Sequence, residues 1–365
     1  MSANNASFED TATTFTGWAS SGTLPLKKFS YHPRRLGPKD VEIEVTHCGI
    51  CGSDTSTISG GWGPLAEPCI AGHEIVGTVV KAGPHSLRKI GELVGVGGVV
   101  DSCGDCKDCN SGFQQLCTKK SFIFNDVYHD GSNVRPQGGF ADRVRVNSEF
   151  VYKIPSAISP AEAAPLLCAG ITTYTPLKNF GAGPGKRVGV MGIGGLGHLA
   201  IQWAAAFKAD EVVAISTSDS KREEAKKLGA TKFVNSRNEE ERKAARHSLD
   251  ILLLTSNDKD TDWADLIDYV ANHGTLVLLA LPEIPTIAVP PSSILMRHVS
   301  IAGSLTGGRA ITQEMLEFAA KTGVRPWITI MPMSDANAAV KVTMEGRPRY
   351  RVVMETEAAA RLQKH

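Results

Sequence analysis

The chain has 365 residues, 42% of them hydrophobic and 21% charged, which is enough apolar material for two domains or one large one. Its 39 Lys and Arg against 38 Asp and Glu leave a net charge of +1. There is no basic excess to neutralise a run of phosphates, so nucleic acid is excluded as the main partner. Eight cysteines are too few for a disulfide scaffold of this length, so their spacing must say what they do.

The polar start, Met1 to Thr16, lacks the cationic and apolar regions of a signal peptide, and Leu362-Gln363-Lys364-His365 is no targeting address. No run approaches about 18 consecutive apolar residues, so no membrane span is expected. A cytoplasmic protein with reduced cysteines follows as the expectation.

The first 150 residues read as a turn-rich β-domain. Val41-Glu42-Ile43-Glu44-Val45 alternates with period two, and Ile75 to Val80 and Leu93 to Val96 are short apolar runs bounded by turn residues. Within this region Cys103, Cys106, Cys109 and Cys117 crowd into one loop. Four thiols at such spacing can close a tetrahedron around Zn²⁺ and leave no open position, the mark of a structural site. The first three spacings also suit an Fe–S run, but no second run exists and the last spacing differs, so zinc is preferred.

From Pro165 the texture changes to strands alternating with helices. The pattern predicts strands at 186–191, 212–216, 232–234, 250–255, 276–281 and 299–302, with helices at 196–208, 220–228 and 263–271. Helices at 313–321 and 335–344 and a strand at 350–354 close the chain. Such alternation implies a parallel sheet covered on both faces. Gly192-Ile193-Gly194-Gly195-Leu196-Gly197 lies between the first of these strands and its helix, the context that makes a G-x-G-x-x-G run a dinucleotide fingerprint. Gly192, Gly194, Gly195, Leu196 and Gly197 are therefore candidate cofactor contacts, with the helix start facing the pyrophosphate.

The second strand ends in Ser216-Thr217-Ser218, where an NAD-specific site would carry an acid. Small hydroxyls leave room for a 2′-phosphate, and Lys221 or Arg222 can supply charge, so NADP(H) is the expected cofactor. The plainer reading makes those two cations a solvated helix face, and Asp219 beside them weighs against an anion.

A second cluster is scattered: Cys51-Gly52-Ser53-Asp54 after a strand, His73-Glu74 at the start of another, and Cys168 at the junction between the two textures. Cys48 and Cys69 are left over and expected to be buried and reduced.

Taken in order, Cys48 to Asp54, Gly72 to Gly77, the four-Cys loop, Ala164 to Gly170, the Gly192–Gly197 turn, Ser216 to Ser218 and Arg349-Tyr350-Arg351 resemble the zinc-containing alcohol dehydrogenases of the medium-chain dehydrogenase/reductase superfamily, in the cinnamyl alcohol dehydrogenase-like branch. The resemblance spans nearly the whole chain. It implies a GroES-like catalytic domain built from residues 1–164 and 304–365, with a doubly wound Rossmann domain for NADP(H) at 165–303, an α/β plus β architecture, and commonly a homodimer. It implies hydride transfer between NADP(H) and an alcohol or aldehyde, with two Zn²⁺ per chain. The Cys₂His ligand set known for alcohol dehydrogenases falls on Cys51, His73 and Cys168. Glu74 becomes a possible fourth ligand, Asp54 the carboxylate that orients His73, and Ser53 the hydroxyl that touches substrate and starts a proton relay. Many members of the branch carry His two residues after that Asp; here the position is Ser56, so the usual end of the relay is missing.

Trp62, Leu65, Phe122 to Tyr128 and Leu305 are candidate lining of the substrate entrance, suited to aromatic or medium-chain aliphatic aldehydes. Three rival functions remain. An NAD-linked polyol dehydrogenase predicts an acid near Ser216, a conjugated-alkene reductase predicts lost zinc ligands, and a non-catalytic NADPH-binding regulator predicts no turnover.

Overall fold

The computed structural model describes residues 13–61, 63–132, 134–256, 262–280 and 286–362. Trp62, Leu281 and residues 1–12 and 363–365 lie outside them, as do the readings that fell there.

Residues 187–303 form a six-stranded, fully parallel sheet. Its order across the sheet is Lys232–Asn235, Glu211–Ser216, Arg187–Met191, Leu249–Leu254, Val270–Leu278 and Ser300–Gly303. In order of appearance this is 3-2-1-4-5-6, the doubly wound order whose reversal point lies beside the first strand. Successive side chains feed two cores. Val212, Ala214, Ile251 and Leu253 pack on one face, Val213, Ile215, Leu252 and Leu254 on the other. A strand buried on both faces must be apolar at every position, which is why these runs do not alternate.

The other large sheet has seven mostly antiparallel strands. Asp40–Ile50 is central, pairing with Glu74–Ala82 on one side and with Arg351–Glu355 on the other. Val352 lies opposite Ile50 and Glu355 opposite His47, so the end of the chain completes the sheet begun by its start. Ile328–Pro332 extends it in parallel. Val41, Ile43, Val45, Ile75, Val79, Val352 and Met354 share its core.

Two expectations need correction. Helix 263–271 is shorter: it runs Trp263–Asp268, and the fifth strand of the parallel sheet starts already at Val270. His273 takes φ 62°, and a side chain on Gly274 would meet the Leu249 carbonyl at 2.8 Å. This close, irregular pairing carries no period that a sequence template can find. The junction, expected only as a change in texture, is helical: Pro160–Pro165, a π-helical turn Leu166–Gly170, then Ile171–Asn179. No helix among the described residues is long and apolar enough to cross a membrane.

Candidate functional site

Three segments far apart in sequence deliver one buried donor set. Cys51 follows the central strand and caps helix Gly52–Ile58, His73 immediately precedes the neighbouring strand that Glu74 opens, and Cys168 sits on the π-helical turn. The ligand atoms of Cys51, His73, Glu74 and Cys168 all lie within 4.8 Å of one another. His73 Nε2 is 3.1 Å from Cys168 Sγ, which is 3.8 Å from Cys51 Sγ.

Asp54 organises this corner. One carboxylate oxygen accepts from His73 Nδ1 at 2.9 Å and from the Gly72 amide at 2.9 Å, and the other accepts from the Cys51 amide at 2.8 Å. With Nδ1–H tied to a fully buried carboxylate, Nε2 presents its lone pair to the thiols. A hydrogen bond from Cys168 holds the Cys51 thiol well below its usual range against the effect of burial, and Arg351 adds to the lowering. The same bond and burial push Cys168 up.

Glu74 tests whether a cation fits. It is completely buried, one oxygen is paired with Arg351, and its Oε2 has no hydrogen-bond partner. Burial outweighs the Arg351 charge and raises its carboxyl to about 7. An orphaned buried carboxylate oxygen beside two sulfurs and an imidazole is the donor set of a borderline-soft divalent ion such as zinc.

Arg351 was absent from the sequence-derived site. Its guanidinium reaches from Glu74 to the Gly-rich loop, where a side chain on Gly195 would stand 2.8 Å from Nη1. Residues 277 apart in the chain carry no local signal of such a pairing. His198 was missed for the same reason. Its Nδ1 donates to the Gly194 carbonyl at 3.0 Å, its Nε2 accepts the Trp327 amide at 3.3 Å, and its ring stacks on Tyr350 at 4.9 Å.

The loop is built as its sequence demands. Gly192 has φ 93°, and any side chain on Gly197 would sit 1.8 Å from the Gly192 carbonyl oxygen. Gly194 faces open space, and Leu196 stands at the start of helix Gly197–Ala206. Beside the loop, Ser216 ends its strand, Thr217 is exposed, and Ser218 Oγ lies 2.9 Å from Ser220 Oγ. Lys221 Nζ donates to the Ile193 carbonyl at 2.5 Å and so leans over the loop. Arg222 does not join it: it pairs with Asp219 at 2.5 Å and Glu241 at 3.1 Å and covers the Phe233 ring at 4.4 Å. Asp219 is occupied too, by Arg222 and by Asn235 at 2.8 Å.

Cys103, Cys106, Cys109 and Cys117 form the second donor set, again within 4.8 Å. Cys106 Sγ accepts the Cys109 amide at 3.5 Å and Cys117 Sγ the Lys119 amide at 3.3 Å. All eight cysteines are free, with Cys48 and Cys69 buried as expected.

Ser53 Oγ is 3.8 Å from Cys51 Sγ, and Ser56 follows one turn later on the same short helix. The entrance residues divide. Phe124 packs against the His73 ring at 5.7 Å, Phe122 and Leu305 are exposed, and the Ala66 amide beside Leu65 is held by Asn125 at 2.7 Å. Ile123 and Tyr128 are instead core residues of the β-sheet, Tyr128 lying under Arg34 and donating to the Arg145 carbonyl. That buried polar anchor turns Tyr128 away from any entrance.

The chain also matches known proteins over most of its length. Residues 37–156 match the family described as alcohol dehydrogenase GroES-like domain, and residues 195–321 match zinc-binding dehydrogenase. The chain is 41% identical over 332 residues to a probable cinnamyl alcohol dehydrogenase of Oryza sativa subsp. japonica, covering 90% of each. It is 40% identical over 340 residues to aldehyde reductase YahK of Escherichia coli (strain K12), covering 92% of this chain and 96% of that one. The solved structure of CAD from Helicobacter pylori complexed with NADP(H) superposes with a TM-score of 0.86 at 31% identity, covering 94% of this chain and 98% of the other. The chain belongs to the zinc-binding alcohol dehydrogenases, in their cinnamyl alcohol dehydrogenase-like branch, and is an oxidoreductase of alcohols and aldehydes.

Proposed function

We propose that the protein reduces aldehydes to primary alcohols with NADPH and runs the reverse reaction with NADP⁺, with aromatic, cinnamyl-type or medium-chain aliphatic substrates. In this reading Cys51, His73 and Cys168 hold a catalytic zinc, with Glu74 as an alternative ligand, and Cys103, Cys106, Cys109 and Cys117 hold a structural zinc. The observation that carries it is the buried sulfur–imidazole–carboxylate set joined through Arg351 to the Gly-rich loop. When bound, zinc supplies a Lewis acid and NADPH a hydride.

The remaining work falls to the chain. Asp54 keeps the His73 tautomer and its orientation fixed. Arg351 offsets the Glu74 charge, so that carboxylate can sit in a dry site. Ser53, next to Cys51, passes the proton to and from the substrate oxygen. Ser56 cannot act as a base near neutral pH, so water or a cofactor ribose hydroxyl carries the proton onward. Gly192, Gly194, Gly195, Leu196 and Gly197 bind the pyrophosphate, and Ser216, Thr217, Ser218 and Lys221 recognise the 2′-phosphate. The Helicobacter pylori complex supports NADP(H), as do the hydroxyls where NAD enzymes place an acid.

Phe124 on the His73 ring and the exposed Phe122 and Leu305 support an apolar substrate. The division 1–164, 165–303 and 304–365 is proposed with it, supported by the two sheets. A cytoplasmic homodimer is also proposed. Leu295 and Met296, 71% and 82% exposed beside the edge strand Ser300–Gly303, support a partner surface there.

One experiment tests the core of this reading: an aldehyde panel assayed by absorbance with NADPH and NADH, alongside metal analysis. Expected are turnover of aryl or alkyl aldehydes, preference for NADPH, and about two zinc per chain. Cys51→Ala should lose one zinc and turnover while still binding NADPH. Cofactor binding without turnover of any aldehyde would favour a regulator instead.

A further inference from the structure

The structure leaves the cofactor's outer phosphate short of charge. Of the two cations expected there, Arg222 is committed to Asp219 and Glu241. Lys221 alone would face a group of roughly −1.5 to −2 charge, with only hydroxyls beside it. A second cation lies close by, on a segment more than a hundred residues later. Both cations stand near one ring, that of Tyr350: Lys221 Nζ is 5.5 Å and the Arg349 guanidinium carbon 5.9 Å from its centroid. The ring is clamped, with His198 stacked on it and its hydroxyl donating to Glu224. Glu224 also accepts from Arg349 Nε at 3.3 Å, which leaves the terminal guanidinium nitrogens free of that bond. Arg349 is 45% exposed, so it can meet a ligand from solvent without a buried charge being uncovered.

We infer that Arg349 is a specificity-determining residue, the second cation that binds the 2′-phosphate of NADP(H) together with Lys221 at the Ser216–Ser218 turn. The inference rests on the NADP(H) reading above and deepens it. Two like charges share one ring, and Arg349 lowers the Lys221 pKa, behind the larger effect of burial. Their mutual repulsion is offset when an anion binds beside both of them. Glu224 neutralises part of this charge, so the pair and its carboxylate keep one net positive charge for the phosphate. The geometry also explains why a residue of the returning chain should matter to a cofactor held by the central sheet: Arg349 and Tyr350 immediately precede Arg351, which is already fixed between Glu74 and the Gly-rich loop.

The test compares wild type, Arg349→Gln and Arg349→Lys as zinc-loaded full chains. Dissociation constants are measured by calorimetry for 2′,5′-ADP and 5′-AMP, and by nicotinamide fluorescence for NADPH and NADH. Arg349→Gln should weaken 2′,5′-ADP and NADPH roughly tenfold while 5′-AMP and NADH change less than about twofold. Arg349→Lys should recover part of the loss, and the salt dependence of NADPH binding should become shallower in the Gln variant. Retained 5′-AMP and NADH binding shows that the variant is folded. Equal losses for phosphorylated and unphosphorylated ligands, or no loss at all, would overturn the assignment. A wild type that binds 2′,5′-ADP no more tightly than 5′-AMP would overturn the NADP(H) reading itself, and the role of Arg349 with it.

Discussion

Asp54 bears a heavier load than its size suggests. Its two oxygens hold a ring nitrogen and two backbone amides, all in the interior. Asp54→Asn keeps the shape but removes the charge, and its NH₂ must face either an amide or the imidazole N–H. Metal affinity at the Cys51–His73–Cys168 set is expected to fall about 10- to 100-fold, the range seen when partners of ligating histidines are lost. Zinc competition with a chromophoric chelator measures this, and unchanged affinity would remove Asp54 from the role given to it. His198 offers a pH-dependent counterpart. Burial, reinforced by Arg351, depresses its pKa to about 3 against its hydrogen bond to the Gly194 carbonyl, and the Trp327 amide that donates to Nε2 also favours the neutral ring. A histidine held neutral in the folded chain takes up a proton on unfolding once the pH drops below its ordinary value near 6.5. Its stabilising effect is therefore whole above that value and is lost as pH falls from about 6.5 toward 3, at up to about 1.4 kcal/mol per pH unit. Denaturant melts at pH 7.5 and 5.5 should show a smaller drop for His198→Gln than for wild type. Equal drops would mean that His198 already titrates freely.

At the level of elements, the π-helical turn Leu166–Gly170 sets the position of Cys168. A π-turn inserts a residue into a helix and leaves carbonyls without their usual partners. Here Thr173 Oγ1 donates to the Ala169 carbonyl at 2.7 Å and the Gly170 carbonyl at 3.1 Å, and Trp203 Nε1 also reaches Gly170 at 3.2 Å. Thr173→Val keeps the volume but leaves buried carbonyls poorly paired, so it should cost about 1–3 kcal/mol in denaturant unfolding and weaken zinc at the Cys51 site. Loss of stability with unaltered zinc affinity would separate the turn from the metal set. The sequence hid this element because Pro165, Gly170 and Pro176 break every helical template across it. The parallel strands, by contrast, were legible. Val212 to Ile215 and Leu249 to Leu254 are apolar at nearly every position because both faces are covered. The donor sets were legible as residue types in family order. Which of the neighbouring cations and aromatics join them was not, because Arg222, Tyr128 and Arg351 differ only in what the fold places opposite them.

On the scale of the molecule, the closing strand is what connects the two chemistries. Arg351–Glu355 completes the sheet that holds Cys51, and its first residue inserts a buried guanidinium between Glu74 and Gly195. Replacing one member of such a pair strands the other charge in the interior, a loss of about 3–5 kcal/mol, whereas replacing both removes the unpaired charge altogether. Arg351→Met and Glu74→Gln should each destabilise strongly, and the double variant should lose less than the sum of the two, with a coupling of about 1–3 kcal/mol. Denaturant unfolding of the four proteins at fixed zinc and pH gives that coupling directly. Nucleotide binding adds a second readout, since Arg351 also packs on the loop: Arg351→Met should weaken NADPH and NADH alike, while Glu74→Gln should weaken neither more than about twofold. Additive stabilities would mean that the pair is incidental to the fold. A coupling confined to stability, with nucleotide affinity untouched in Arg351→Met, would mean that the closing strand serves the metal set alone.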